Sequence, residues 1–459
     1  MKFDLAVIGA GPGGFEAALR ARELGFKVAL IDKSDLGGTC LNTGCIPTKS
    51  LLASTKFLSR MKHAEVLGLS TVFPVWDISS LIQRKNRVVE SLKKGMEEAL
   101  KRSGVEWIAG EASFAAKNHI IIRGEGRVTG EIEIESKYTL LATGSEPIPF
   151  PGTPFDGERI LSSADLLEIK TPPRDLLILG GGVVGVEFAS IFQALGVRVT
   201  LVEMLERLLA TEDSEVGRRL EALYQRKGVQ VLTGAKVKNI AVGASGVEAV
   251  LESGKKLTAD HVLVAVGRRP RTENLALEQA GVKLGKKGIE VNDYLETSIP
   301  GIFAIGDITS RTTGLAHGAS AEGIRVVENL KGPKTKMNYE AIPNCVYSDP
   351  EVASAGIYRS GGVSADSDLV ESKVLFSSMG KSQVEGETEG FLKLAASKKT
   401  GKIVGVTAIG AHVTELIHEA VLAIRAGVSV QMLAETIHAH PTESEILPKA
   451  AQKLIDVIE

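Results

Sequence analysis

Val7-Ile8-Gly9-Ala10-Gly11-Pro12-Gly13-Gly14-Phe15-Glu16 aligns without a gap on Ile178-Leu179-Gly180-Gly181-Gly182-Val183-Val184-Gly185-Val186-Glu187. The same offset pairs Leu24-Gly25 with Leu195-Gly196, and Asp32 with Glu203. Each copy follows an apolar strand, opens a helix and carries an acid roughly 20 residues on, which is the signature of a dinucleotide turn. The glycines permit a tight turn and let a pyrophosphate approach the backbone at the helix N-terminus, while the acid accepts hydrogen bonds from ribose hydroxyls. A single turn of this kind is weak, because loop glycines are common, and a pair of ordinary strand-helix turns is the alternative. Two complete copies in register favour two nucleotide-binding folds. Gly9, Gly11, Gly14 and Asp32 then serve the first, and Gly180, Gly182, Gly185 and Glu203 the second.

Working outward from the repeat, the 459 residues allow about three domains. Hydrophobic residues at 44% and charged residues at 24% suit a chain with a buried core. A formal net charge of -2 argues against a sequence-independent hold on nucleic acid or anionic membrane. The apolar run Leu5-Ala6-Val7-Ile8 is too short for a signal peptide, and no uninterrupted apolar stretch could span a bilayer, so a cytoplasmic location is the simplest reading. Glu146-Pro147-Ile148-Pro149-Phe150-Pro151-Gly152-Thr153-Pro154 reads as a linker, and Thr171-Pro172-Pro173 is a second break. Between the first acid and the linker lies a helical excursion from about Leu51 to Arg102, amphipathic from Leu81 to Leu100. After Gly267 the chain returns with strand Ile302-Phe303-Ala304-Ile305, and from about Ala341 it reads as strands followed by helices. The expected fold is α/β: two Rossmann-like domains, 1–146 continued by 269–340, and 147–268, followed by an α+β domain at 341–459.

Gly37-Gly38-Thr39-Cys40-Leu41-Asn42-Thr43-Gly44-Cys45-Ile46-Pro47-Thr48-Lys49 carries two of the three cysteines. Extended chain would hold their Cα atoms well beyond the ~7 Å a disulfide allows, so a compact, helix-like turn is needed. Pro47 is tolerated only in a first helical turn, which puts Cys45 near a helix N-terminus with Lys49 one turn on. Both features lower a thiol pKa and describe a reactive thiolate. A buried inert pair needs neither the glycines nor the lysine. A zinc site of Cys40, Cys45, His438 and His440 has the ligand count but an unusual cysteine spacing, and no metal is expected. A redox disulfide beside the first nucleotide fold is the favoured reading.

The double fingerprint, Gly37 to Lys49, the Ala304-Ile305-Gly306-Asp307 turn and His438-Ala439-His440-Pro441-Thr442-Glu443-Ser444-Glu445 together resemble the flavoprotein disulfide reductases over essentially the whole chain. The likeness is nearest to the branch that oxidises dihydrolipoyl groups. It implies FAD on the first fold and NAD on the second. It further implies FAD contacts at Thr39, Lys49, Ala112, Thr143, Gly144, Ser145 and Asp307, and NAD contacts at Glu187, Val237 and Gly267. The C-terminal domain becomes a dimerisation domain, and the partners become a second copy of the chain and lipoyl-bearing acyltransferases or glycine cleavage carrier proteins.

His440 is one of eight histidines, and it is singled out by its segment, which matches the family's catalytic base. Glu445 would orient the imidazole. Thr442 to Glu445 is also a capping box for the terminal helix, and one carboxylate rotamer is expected to serve only one of the two roles, with orientation favoured. His438 reads as structural, Cys345 as a small buried hydrophobe, and Pro448 as a kink or restart of that helix. By the resemblance, a dihydrolipoyl dithiol attacks the disulfide at Cys40, His440 of the other subunit takes the proton, and Cys45 is left as the thiolate by the flavin. Glu187 stands by the nicotinamide, facing Lys49; its alternative is a solvated first-turn helix acid. Glu203, followed by Met204, would repel a 2′-phosphate, although Arg207 lies close by. Rivals are glutathione- or mercuric-type reductases, the latter disfavoured because the tail Leu454 to Glu459 lacks cysteines, and a nucleotide-binding protein without catalysis.

Overall fold

The computed structural model describes residues 1–70, 75–124, 130–244, 246–360 and 368–458; Glu459, at the end of the cysteine-free tail, lies outside them. The chain forms two compact units: residues 1–50, 82–148 and 267–337, and residues 51–81, 149–266 and 338–459.

The first unit is built on a sheet whose spatial order is Glu106–Ala109, Val28–Asp32, Lys2–Ile8, Gly130–Leu141, His119–Gly124 and Glu111–Ala116, with Ile302–Ala304 also pairing Gly130–Leu141. The strands around the glycine turn are parallel, with Val7 opposite Leu30 and Leu140. Burial on both faces explains why Leu5-Ala6-Val7-Ile8 reads as a continuous apolar run. Leu5, Val7, Leu30 and Leu140 enter one core cluster, and Ala6, Ile8, Ile31 and Leu141 the other. Helix Pro12–Glu23 begins directly after the turn, with Pro12 where its missing N–H costs nothing. It packs on helix Ala316–Lys331, and a Cβ on Gly323 would lie 3.0 Å from the Cβ of Ala17. The amphipathic stretch is helix Ile78–Ser103.

In the second unit, a parallel sheet runs Gln230–Leu232, Arg198–Val202, Asp175–Leu179, His261–Val264, Ile160–Leu161. Helix Val183–Ala194 follows its central strand, as the repeat requires. A five-stranded antiparallel sheet, Asn344–Val346, Glu351–Gly356, Ile403–Gly410, Phe391–Ser397, Leu369–Leu375, carries helices Val413–Ala426, Val430–Glu435 and Ile446–Ile458. Asp213 caps helix Ser214–Arg226 and also accepts from Lys393 at 3.2 Å, a buried pair whose charges are paired rather than left in a dry interior. Cys345 is half-buried against the C-terminal core. Among the described residues no helix is long and apolar enough to cross a membrane.

Candidate active site

In the first unit the acid of the repeat reaches back to its own glycine turn. Asp32 accepts from the Ala10 amide at 2.7 Å and from the Ser34 amide at 2.8 Å. Burial pushes its carboxyl up and the two amides oppose that. Gly14 must be glycine because a Cβ there would overlap the carbonyl oxygen of Gly9. Gly11 differs: a Cβ on it would meet nothing within 4 Å.

The cysteine segment lies directly on this turn. Gly37 donates its amide to the Ala10 carbonyl at 2.9 Å, and a Cβ on Gly38 would sit 2.8 Å from Gly11 Cα. Thr39 and Cys40 ride on helix Gly38–Asn42, and Cys45 opens helix Cys45–Lys62. Pro47 therefore falls in a first turn, and the thiol of Cys45 stands at a positive helix end. The two thiols are hydrogen-bonded to one another. That bond, reinforced by burial, pushes Cys40 far above the ordinary thiol range, while Lys49 pulls the other way. The helix N-terminus at Cys45 favours an anion there.

Ser145 and Asp307, far apart in the chain, are drawn together in the first unit, with Thr143 and Gly144 close by along the chain. Ser145 Oγ donates to Asp307 Oδ2 at 2.6 Å, and Thr143 Oγ1 donates to the Arg271 carbonyl at 2.6 Å. Gly144 accepts the Arg271 amide at 2.9 Å. Asp307 sits in a 3-10 turn at the end of strand Ile302–Ala304, with Glu322 accepting the Gly306 amide at 2.7 Å. Ala112 is buried on strand Glu111–Ala116.

The second turn repeats the first. Glu203 accepts from the Gly181 amide at 2.5 Å and from the Leu205 amide at 2.7 Å. A Cβ on Gly185 would overlap Gly180 oxygen, and one on Gly182 would meet nothing within 4 Å. Arg207 is turned onto the Ala210 carbonyl at 2.8 Å. Glu187 is buried and accepts the Tyr347 amide at 2.9 Å, which overturns its reading as a solvated helix acid. Glu16, its counterpart in the first repeat, is exposed. Val237 opens an antiparallel strand of the second unit, whereas Gly267 belongs to the first unit and accepts the Ile148 amide at 3.0 Å.

His440 and Glu445 meet in the second unit. His440 Nδ1 lies 3.0 Å from Glu445 Oε1 and 3.2 Å from Oε2. A carboxylate has no proton to give, so Nδ1 carries the hydrogen and Nε2 keeps the lone pair of an exposed ring. Glu445 also accepts the Thr442 amide at 2.9 Å. The expectation that one rotamer could not fully serve both roles is corrected: Oε2 takes the Thr442 amide while Nδ1 stays within reach of both oxygens. Both contacts hold its carboxyl below the usual range, the Thr442 amide most. The terminal helix opens as a 3-10 turn, Glu443–Glu445, before helix Ile446–Ile458. Pro448 consequently falls in a first turn, where no donor is lost, and the expected kink is not needed. His438 is held by Glu419 at 2.7 Å and by the Thr436 carbonyl at 2.9 Å, engagements that leave it a structural group rather than a metal ligand. Sequence reasoning missed Glu419, Tyr347 and Ser382, none of which belongs to a motif.

Both turns present the same cradle: two glycines squeezed against backbone and a middle glycine facing open space, at the head of a helix. That space fits the pyrophosphate of a bound dinucleotide.

The Pyridine nucleotide-disulphide oxidoreductase family matches residues 3–323, and the dimerisation domain of the same name matches residues 342–451. Dihydrolipoyl dehydrogenase of Bacillus subtilis (strain 168) is 40% identical over 451 residues, covering 97% of this chain and 97% of its own. Dihydrolipoyl dehydrogenase 3 of Pseudomonas aeruginosa is 38% identical over 462 residues, covering 98% of this chain and 97% of its own. Among solved structures, LpdA of Mycobacterium tuberculosis matches with a TM-score of 0.90 at 27% identity, over 98% of this chain and 99% of that one. With two dinucleotide turns, a paired-cysteine segment seated on the first and a match over nearly its whole length, the chain belongs to the pyridine nucleotide-disulphide oxidoreductase family.

Proposed function

We propose that the chain is a dihydrolipoyl dehydrogenase, oxidising protein-bound dihydrolipoyl groups and reducing NAD. The observation that carries this reading is the hydrogen-bonded pair Cys40 and Cys45, seated on the first glycine turn with Cys45 at a helix N-terminus. The family works with FAD and NAD. Gly9, Gly11, Gly14, Asp32, Thr39, Lys49, Ala112, Thr143, Gly144, Ser145 and Asp307 are the residues we assign to the first, and Gly180, Gly182, Gly185, Glu187, Glu203, Val237 and Gly267 to the second.

The thiol chemistry follows from the geometry. In the oxidised enzyme Cys40 and Cys45 are joined. One dihydrolipoyl thiol gives its proton to His440 Nε2 and its sulfur bonds to Cys40 Sγ, while the Cys40–Cys45 bond breaks and Cys45 leaves as the thiolate, favoured by its helix end. The second dihydrolipoyl sulfur displaces Cys40 and closes the lipoyl disulfide, its proton ending on Cys40. Glu445 stabilises the charged imidazole through Nδ1. FAD, when bound, carries the electron pair from the dithiol to NAD. The dimerisation-domain match supports a homodimer in which His440 comes from the other copy, and lipoyl-bearing acyltransferases or glycine cleavage carriers are the partners this chemistry fits.

The test is turnover of purified protein with dihydrolipoamide and NAD, beside Cys45→Ser. Parent activity with a loss of at least about a thousandfold in the variant is expected. A variant as fast as the parent would refute the disulfide route.

A further inference from the structure

Helix Gly380–Glu385 begins beside the imidazole: a Cβ on Gly380 would lie 3.7 Å from His440 Cε1. Two residues on, Ser382 is fully buried, and its hydroxyl reaches both carboxylate oxygens of Glu443, at 2.9 and 2.8 Å. Glu443 is half-buried and is the first residue of the 3-10 turn whose last residue, Glu445, rests on His440. A three-residue 3-10 turn has poor internal hydrogen bonding, so its shape is imposed from outside. Burial pushes the Glu443 carboxyl up, while the Ser382 hydroxyl favours its charged form; Glu385 opposes the charge, and His412 and Lys381 favour it. A carboxylate in this position is costly to leave without a donor. Glu385 is itself taken by Lys381 at 2.7 Å, with His412 at 3.7 Å, so the helix is charged on the same side.

We propose that the Ser382–Glu443 pair positions the His440–Glu445 dyad. It ties the head of the Glu443–Glu445 turn to the short helix that abuts the imidazole, so one element fixes the ring and the other the carboxylate that meets it. Neither side chain touches the reacting sulfur atoms; both act through Glu445. The inference rests on His440 being the base of the proposed reaction.

Ser382→Ala, Glu443→Ala and the double variant of the FAD-loaded protein are to be assayed across pH in two reactions: dihydrolipoamide oxidation by NAD, and NADH oxidation by ferricyanide, which requires no proton from a dithiol. Each single variant is expected to lose about tenfold in dihydrolipoamide turnover, as a mispositioned general base does, while ferricyanide reduction stays within about twofold. The acid limb of the dihydrolipoamide profile moves to lower pH, because a loosely held Glu445 stabilises the imidazolium less. The double variant loses no more than a single one, as expected for one shared interaction. Single variants that match the parent in rate and profile, a double loss equal to the product of the singles, or ferricyanide rates falling in step would each overturn the assignment. His440→Gln separates the two layers of the argument: full dihydrolipoamide turnover in that variant removes the base itself, whereas a slow His440→Gln beside a fast Ser382→Ala removes only the positioning pair.

Discussion

Glu445 Oε1 holds His440 Nδ1 at 3.0 Å while Oε2 takes the Thr442 amide at 2.9 Å. One carboxylate therefore serves both the base and the start of the terminal helix, and the two roles can be separated by substitution. Glu445→Gln keeps an oxygen for the Thr442 amide but loses the charge facing the imidazole. Dihydrolipoamide turnover is expected to fall by about 10- to 100-fold. Glu445→Ala should be equally slow and also less stable in a thermal melt. A fast Glu445→Gln would return the residue to a purely capping role.

The same contacts set a pH dependence. The Glu445 carboxyl lies below its ordinary value of 4.5, first through the Thr442 amide and then through His440. A depressed carboxylate adds stability that is complete above the unfolded value and is lost as pH falls through the folded one. Thermal midpoints of parent and Glu445→Gln should thus differ above the ordinary carboxylate range, and the gap should close only below it. A gap that is already closed at neutral pH contradicts the assignment.

The glycine turns predict opposite phenotypes for neighbouring substitutions. Gly11→Ala and Gly182→Ala place a methyl in open space on extended backbone, so the free chain should change by no more than about 1 kcal/mol. Cofactor affinity should drop about tenfold or more, since the methyl fills the room a pyrophosphate needs. Gly14→Ala and Gly185→Ala drive a Cβ into a backbone carbonyl, so overpacking should cost at least about 1–3 kcal/mol before any ligand is added. Thermal melts of the cofactor-free chain, with FAD and NADH titrations, check this; a destabilised Gly11→Ala would contradict it.

Glu203 is committed to the Gly181 and Leu205 amides, which fixes its charge beside the second turn. NAD should therefore exceed NADP as acceptor by on the order of a hundredfold in kcat/KM, and Glu203→Gln should narrow the ratio. Arg207 is directed to the Ala210 carbonyl and offers the phosphate little. Equal parent rates with the two nucleotides would sink the argument.

Much of the site was legible because its requirements are local. A glycine that must let a carbonyl pass, a proline confined to a first turn and a cysteine placed just before it are all set within a few residues, so spacing reveals them. The acids at Asp32 and Glu203 were legible as well, although the structure shows them clamping their own turns through Ala10 and Gly181. The alternative of a solvated Glu187 could not be dismissed along the chain, because its partner, the Tyr347 amide, comes from a distant strand region. Glu445 was judged unable to serve two groups because a linear reading does not show two acceptors of one carboxylate reaching different neighbours.

The order of residues was enough to specify two glycine turns, a cysteine pair seated on the first and a histidine segment at the far end, since each is written in short-range backbone geometry and helix-end electrostatics. Folding alone settled which side chains restrain that histidine. Ser382 and Glu443 stand 61 positions apart and meet because an antiparallel sheet and its covering helices bring a buried hydroxyl against a half-buried carboxylate. A contact of that separation depends on packing in three dimensions, and no periodicity along the chain encodes it.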